Sequence, residues 1–289
     1  MEEKVARKAA FLYCAWAKKN KQKELLIRFF GGEPLMNFSV VKEVVAYAKK
    51  YARREKVKAS FDLTTNGLLV NDGVIDFFRE NPEINVIISL DGDAKTQNLN
   101  RNVKGAKIDS YKNIRKYKKE LIALPNMTVN MVIAPNQVGR FYENFLHNYQ
   151  LGFTRFNFLP AYFAAWKEKE LGSLITGFNA VVGFLRAHKD ISIKNTEVFS
   201  TQPFFNPGFV VDCNGDLFGT NMILSDHYTR VRDDLIMGNV LKIERNNLLH
   251  FDKDTDMVSI MRSAVDGTLF YASLKVDRIL SNFVKKLNM

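Results

Sequence analysis

Apolar and polar positions along this chain follow two rhythms in turn. Five short apolar segments have the length and the β-branched or aromatic content of strands: LLIRFF at 25–30, VKASFDL at 57–63, INVIISL at 84–90, MTVNMVI at 127–133 and FTRFNFL at 153–159. Between them, apolar residues recur at helical spacing. Val40, Val41, Val44, Val45, Ala48 and Tyr51 follow the first segment, and Val74, Ile75, Phe77 and Phe78 the second. Ile114, Tyr117 and Leu121 follow the third, and Val138, Phe141, Tyr142, Phe145 and Tyr149 the fourth, with Gly152 placed as a helix C-cap. Strands separated by helices pair in parallel through right-handed crossovers. The pattern therefore predicts an α/β fold, either a doubly wound sheet or a complete or partial (β/α) barrel. In both, the loops at the carboxyl ends of the strands carry the chemistry.

After Pro160 the rhythm changes. Residues 161–190 read as helical, 191–208 as a loop rich in Pro, Asn and Thr, and GFVVDCNGDLFG at 208–219 as a hairpin turning at Asn214-Gly215. A polar helical tail runs on to Met289. The expected boundary lies near 190, with 1–190 as the βα array and 191–289 as a small α+β extension. At the other end, EEKVARKAAFLYCAWAKK carries Val5, Ala9, Leu12, Tyr13 and Trp16 at helical spacing, so the array opens on a crossover helix with no strand before it.

Composition narrows the function classes. With 289 residues, 46% hydrophobic and 25% charged, the chain reads as a globular protein of one or two domains. No apolar run reaches the roughly 18 residues of a membrane span, and the amino terminus lacks a secretory layout; a cytoplasmic protein with no membrane partner is expected. The net charge of +11 is dispersed. Its densest runs, KKYARR at 49–54 and RKYKKE at 115–120, lie on helical patterns whose other face is apolar, and no RRM, KH or zinc-finger signature accompanies them, so no nucleic-acid partner is expected. Cys14 and Cys213 have no paired spacing, which leaves neither a disulfide framework nor a metal site. His147 and His250 lie in helical patterns, and His188 and His227 lack ligand spacing. Asp212, Asp216, Asp233 and Asp234 read as acidic loops before they read as a general base. Dinucleotide, P-loop and serine-elbow signatures are missing, and no catalytic residue is assigned.

The strand-end loops carry the candidate chemistry. GGEP at 31–34, TTNG at 64–67 and SLDG at 89–92 combine glycines, which let backbone approach a ligand, with Glu33, Asn66, Ser89 and Asp91 on the same expected face. A Glu directly after an apolar strand is costly without a cation or donor partner. Such a face suits a small molecule bearing an amine, hydroxyls and a carboxylate.

FFGGEPL, TTNG, SLDG and the Arg of LNR at 99–101 are similar, in order and spacing, to the core of radical S-adenosylmethionine (SAM) enzymes. The resemblance is closest to the sulfatase-maturating and peptide-modifying branch with a SPASM-type carboxyl-terminal extension, and covers about residues 1–160, more faintly 205–240. It implies a partial (β/α) barrel of parallel strands, here lacking the first, and SAM as cofactor. Gly31, Gly32, Glu33 and Pro34 would lie against the methionine amine, with Glu33 as an acceptor. Ser89 and Arg101 resemble the pair that holds the methionine carboxylate. Asp91 and Asn66 resemble ribose-side groups, and Val132, in NMVIAPN, a backbone contact near the adenine. The implied reaction is hydrogen abstraction from a peptide or protein substrate by a 5′-deoxyadenosyl radical.

Two departures qualify this. Family members hold a 4Fe-4S cluster with a C-x3-C-x2-C loop after the first strand, and no such loop is present; Cys14 in a helical pattern does not replace three loop thiolates. The SPASM-type region normally adds cysteines for auxiliary clusters, and here Thr220 and Asn221 stand where one is expected. Three accounts stay open: an amino-terminal truncation of an enzyme that has the loop, a non-catalytic pseudoenzyme that binds a peptide or nucleoside, or a separate polypeptide that supplies the first strand and cluster. On the first, the chain is inactive by itself. The unpaired edge of LLIRFF is then expected to accept a strand from a partner or to self-associate.

Overall fold

The structure, a computed structural model, describes residues 1–101, 109–197, 207–244 and 257–288. The chain runs α1 (Glu3–Lys19), β1 (Glu24–Phe29), α2 (Phe38–Glu55), β2 (Lys58–Thr65), α3 (Asp72–Glu80), β3 (Ile84–Ser89) and α4 (Ala94–Asn100). It continues through α5 (Ser110–Lys116), α6 (Lys118–Ile122), β4 (Met127–Ile133), α7 (Phe141–Gln150), β5 (Arg155–Pro160), α8 (Glu168–Ala187) and β6 (Ser192–Ile193). Last come β7 (Pro207–Val211), β8 (Asp216–Thr220), β9 (Gly238–Asn239), α9 (Met257–Ala264) and α10 (Gly267–Leu287). All five expected strands form, and their order in the six-stranded sheet, β1-β2-β3-β4-β5-β6, follows the chain. β3 through β6 pair in parallel. The fold class is α/β, as the alternation predicts.

Two compact units divide the chain: Met1–Asp62 with Phe204–Gly267, and Leu63–Pro203 with Thr268–Met289. In the first, α1 is buried on two sides. Ala6 and Ala10 meet Val44 of α2, with Ile27 and Phe29 of β1 against them, while Cys14 and Ala17 cluster with Leu25 and Tyr51. Val5 and Leu12 pack instead on Leu217 and Val240, beside the antiparallel sheet β7-β8-β9. The hairpin turns at Asn214-Gly215 as predicted, with Gly215 at a φ of 89° that glycine adopts without strain. Asp212 organises that turn: its Oδ1 accepts from Asn214 N at 2.8 Å and Asp216 N at 3.1 Å, and its Oδ2 takes Arg232. The acidic loop here has a structural task.

In the second unit the sheet has one apolar face. Phe156, Phe158 and Pro160 of β5 are buried, whereas Arg155, Asn157 and Leu159 are half-buried. Phe158 meets Phe141 of α7, Phe178 of α8 and Phe283 of α10 edge-on at 5.3, 5.9 and 5.7 Å between ring centroids. Phe145 packs on Phe156 at 5.0 Å. Each such pair adds roughly 0.5–1.5 kcal/mol to the burial of its area.

Three details differ from the pattern. The helical stretch after β3 breaks at Tyr117 into α5 and α6, and the short α4 and β6 were not foreseen. Residues 161–167, expected to be helical, form a loop, because Ala161 N extends the strand pairing to Ile133 O at 2.9 Å and Phe163, at a φ of 55°, donates its N–H to Ser273 Oγ of α10. A backbone committed to those partners cannot continue into α8. His250 and the middle of the expected 191–208 loop lie outside the described residues. Among the described residues no helix is long and apolar enough to cross a membrane.

Candidate functional site

In the second unit, the candidate residues gather at the carboxyl end of β3. Asp91 lies two residues beyond that strand and its side chain is 1% exposed. A buried carboxylate needs several donors to offset its lost hydration, and this one has them. Arg101 grips it with both arms, Nε to Oδ2 at 3.0 Å and Nη2 to Oδ1 at 2.8 Å. Asn100 Nδ2 donates to Oδ2 at 3.3 Å, and the backbone N of Val132, on the neighbouring strand β4, donates to Oδ1 at 2.9 Å. Asp91, Arg101 and Val132, read separately from the sequence, are thus one hydrogen-bonded group. Arg101 sits against Asp91 here, its side chain 23% exposed. Gln97 completes the frame: its Oε1 accepts from Asp91 N at 2.8 Å and its Nε2 donates to Ser89 O and Ser110 Oγ, both at 3.0 Å.

Ser89 itself is 5% exposed, and no hydrogen bond to its hydroxyl is found among the described residues. Register places it opposite Asn130 of β4, and Asn130 opposite Asn157 of β5. The three polar side chains form a row across three parallel strands, on the face opposite the phenylalanines. Parallel sheets are usually apolar on both faces. The alternation of polar Thr128, Asn130, Arg155 and Asn157 with apolar neighbours was legible in MTVNMVI and FTRFNFL, and it was the signal the sequence reading passed over.

TTNG is a tightly held turn. Asn66 Oδ1 accepts from Leu68 N at 2.9 Å, Thr65 Oγ1 accepts from Gly67 N at 3.1 Å, and Gly67 has a φ of 81°. Asn113 of α5, a residue that no motif marked, donates to Gly67 O, Leu68 O and Val70 O at 2.7, 3.1 and 3.1 Å.

In the first unit, Gly31 and Gly32 are exposed, Gly31 has a φ of 122°, and a Cβ on either would meet open space. Glu33 Oε1 accepts from Leu35 N at 3.1 Å, capping the single helical turn that Pro34 begins. That turn gives the strand-end carboxylate a local donor.

Beside Asp91, Asp93 caps α4 through Thr96 N at 2.9 Å and pairs with Arg140 Nη2 at 2.8 Å. Burial pushes the Asp93 carboxyl up, but the Arg140 guanidinium and the hydrogen bonds from Thr96 outweigh it and hold the group down at about 2. A carboxyl depressed on folding contributes stability above its unfolded value of about 3.9 and loses it as pH falls toward the folded one. We expect Arg140→Met to move the onset of acid unfolding to higher pH and Asp93→Asn to remove this part of the pH dependence. Circular dichroism between pH 5 and pH 2 reads both; superimposable curves for all three proteins refute the pairing. His147 has a structural place as predicted: its Nε2 lies 2.8 Å from Tyr111 OH, and burial lowers its basicity.

For a SAM-type ligand the donor set fits. The second unit offers the Arg101 guanidinium framed by Asp91 and, beside it, the Ser89 hydroxyl, for which no partner is found among the described residues. For a 4Fe-4S cluster, which takes cysteine thiolates, the residues do not fit. Cys14 is buried in α1 with its thiol pushed up to about 12 by burial, and Cys213 is exposed in the hairpin. Among the described residues no group of three or more Cys, His, Asp or Glu is placed to hold a metal ion.

Fold and loops together define a class. Residues 14–144 match the family model of the radical SAM superfamily, the resemblance that FFGGEPL, TTNG and SLDG led us to expect. Family members use SAM and a 4Fe-4S cluster. Among particular relatives, the radical SAM cyclopropyl synthase TigE of Paramaledivibacter caminithermalis is 33% identical over 73 residues, which are 25% of this chain and 15% of that protein. The matched segment is thus a small part of that curated relative. Among solved structures, native anSMEcpe with bound AdoMet and Cp18Cys peptide aligns over 100% of this chain and 91% of its own, with a TM-score of 0.73 at 14% identity. Streptococcus suis SuiB bound to precursor peptide SuiA aligns over 92% of this chain and 59% of its own, with a TM-score of 0.54 at 13% identity. These likenesses are in fold. They bear out the partial (β/α) barrel.

Proposed function

We propose that this chain is the SAM-binding and substrate-positioning part of a radical SAM protein of the peptide-modifying, SPASM-type branch. The observation that carries the reading is the Asp91 group, in which Arg101, Val132 and Asn100 are held by one buried carboxylate at the end of β3, next to the Ser89 hydroxyl, for which no partner is found among the described residues. When bound, SAM supplies a sulfonium whose reductive cleavage gives a carbon radical able to abstract hydrogen. The chain's own residues bind and orient it. Gly31 and Gly32 let a ligand approach the backbone, and Glu33 accepts from an ammonium. Ser89 and Arg101 take a carboxylate, with Arg101 oriented by Asp91, and Asn66, Asp91 and Val132 flank the nucleoside. Peptides bound to anSMEcpe and SuiB support a peptide substrate.

The cluster's ligands are not among this chain's residues in this proposal, so no step is derived through it. The same mismatch favours a second reading, a non-catalytic module that binds a peptide or nucleoside. A strand-donating partner or self-association belongs to the first reading, supported by Leu26 and Phe30 of the β1 segment, 40% and 58% exposed.

Calorimetric titration of the 289-residue chain with SAM is expected to show one binding site per chain, and Arg101→Ala to weaken it about tenfold or more, the loss of one charge-assisted contact. Absence of any binding by the folded wild type refutes the proposal. Anaerobic reconstitution is expected to give neither 4Fe-4S absorbance nor 5′-deoxyadenosine; either one above a no-protein control overturns the cluster statement.

A further inference from the structure

From the row across the sheet we infer that Asn130 and Asn157 form a docking pair for the main-chain amide of an extended peptide, one strand and two strands away from Ser89. Asn130 is 8% exposed and Asn157 half-buried, and their side chains point to the polar face. Asn157 Nδ2 donates to Asn130 Oδ1 at 2.7 Å, and this is the one hydrogen bond found for either side chain among the described residues. It leaves Asn130 Nδ2 as a donor and Asn157 Oδ1 as an acceptor, side by side on adjacent strands.

This complement does not depend on how the amides are turned. If both are flipped, Asn130 donates to Asn157, and what remains is again one amide NH2 group and one amide oxygen without a partner on adjacent strands. Neither Asn130 Nδ2 nor Asn157 Oδ1 is among the buried side-chain atoms that lack a partner, so each is open to solvent and to a ligand group that replaces it. Every residue of an extended peptide presents one N–H and one C=O to the same side, which is the set this pair lacks. Carboxylates and phosphates offer no donor and would leave Asn157 Oδ1 unmet.

The rows on either side are already satisfied. Toward the amino ends of the strands, Thr128 Oγ1 pairs with Asn85 Oδ1 at 3.0 Å and with Arg155 Nε at 3.1 Å, and Arg155 Nη2 with Glu197 at 2.7 Å. Toward the carboxyl ends, Val132 N is taken by Asp91. The unmet pair lies between them, in the same register row as Ser89. A peptide docked there lies beside the hydroxyl assigned to SAM. Main-chain recognition also leaves the substrate's side chains to be selected elsewhere.

The inference deepens the proposed function and rests on it for the identity of the neighbour, so the test separates the two. The chain, with 15N-labelled asparagine, is titrated with N-acetylalanine N-methylamide, a peptide-group probe, and separately with adenosine. The Asn130 and Asn157 side-chain amide signals, assigned from Asn130→Leu and Asn157→Leu, are expected to shift with the first probe and not the second. Each variant is expected to bind N-acetyl-trialanine methylamide about tenfold more weakly, which is about 1.4 kcal/mol, with SAM affinity unchanged. Shifts with adenosine alone, or none with the peptide-group probe, overturn the inference even if SAM binds. Should a leucine variant fail to fold, the wild-type titration with Asn130→Ser and Asn157→Ser for assignment decides the matter. Failure of SAM to bind while the peptide probe shifts both amides refutes the proposed function and leaves the docking pair standing.

Discussion

Replacing Asp91 with alanine is expected to destabilise the protein by about 3 kcal/mol, the lower end of the cost of breaking a buried ion pair from one side. The carboxylate is 1% exposed, while its partner Arg101 retains 23% exposure and can turn toward water, which keeps the cost from rising further. Two losses do not relax so easily. Val132 N is fixed by the pairing of β4 with β5, and Asn100 ends α4, so both donors stay where Asp91 was. Asp91→Asn keeps the shape and one acceptor oxygen, and should lose less. Because Arg101 also loses its anchor, SAM affinity should fall in both variants. Urea unfolding measures the first effect; an unfolding free energy within about 1 kcal/mol of wild type for the alanine variant, at an unchanged slope, would show that the group is not held as described.

Gly92→Ala should be as damaging, and for a different reason. Gly92 has a φ of 153°, a conformation that costs a side-chain-bearing residue roughly 1–3 kcal/mol. An added Cβ would also lie 2.6 Å from Asn144 Cβ, the root of that side chain, which cannot swing aside while α7 stays in place. Overpacking adds about 1–3 kcal/mol. Asn144 Oδ1 accepts from Thr96 Oγ1 at 3.1 Å and Asp93 N at 3.4 Å, so moving it loosens the start of α4 and with it Asn100 and Arg101. The expected total is about 3 kcal/mol or more, together with weaker SAM binding. Gly32→Ala is the control: its Cβ meets nothing, and stability should be unchanged. Equal stability of Gly92→Ala and wild type would sink the close approach of SLDG to α7.

Much of the fold was legible because it is local. A strand or helix announces itself through the period of its apolar residues, and all five strands and the hairpin formed within a residue or two of the expected ends. Where a local signal competed with a distant partner it failed. Residues 161–167 carry apolar residues without the helix they suggest, since Phe163 is held by Ser273, more than a hundred positions on. The site was legible in part. Glycines and carboxylates after strands mark loops that face a ligand, and Ser89, Asp91, Arg101 and Val132 were each singled out. Gln97, Asn100 and Asn113, which hold those loops, sit on short helices where an amide has no pattern to betray it.

The sequence by itself determined the succession of strands and helices, the turns that need glycine, and a cysteine content too low for an iron–sulfur cluster, because each of these is a property of residue type and short-range spacing. Only the tertiary structure decided that Asp91 joins Arg101 to Val132, that α1 packs on the hairpin near the other end of the chain, and that Ser89, Asn130 and Asn157 fall in one row. Strand register and loop convergence are set by packing between segments that the chain keeps far apart, and no local pattern encodes them.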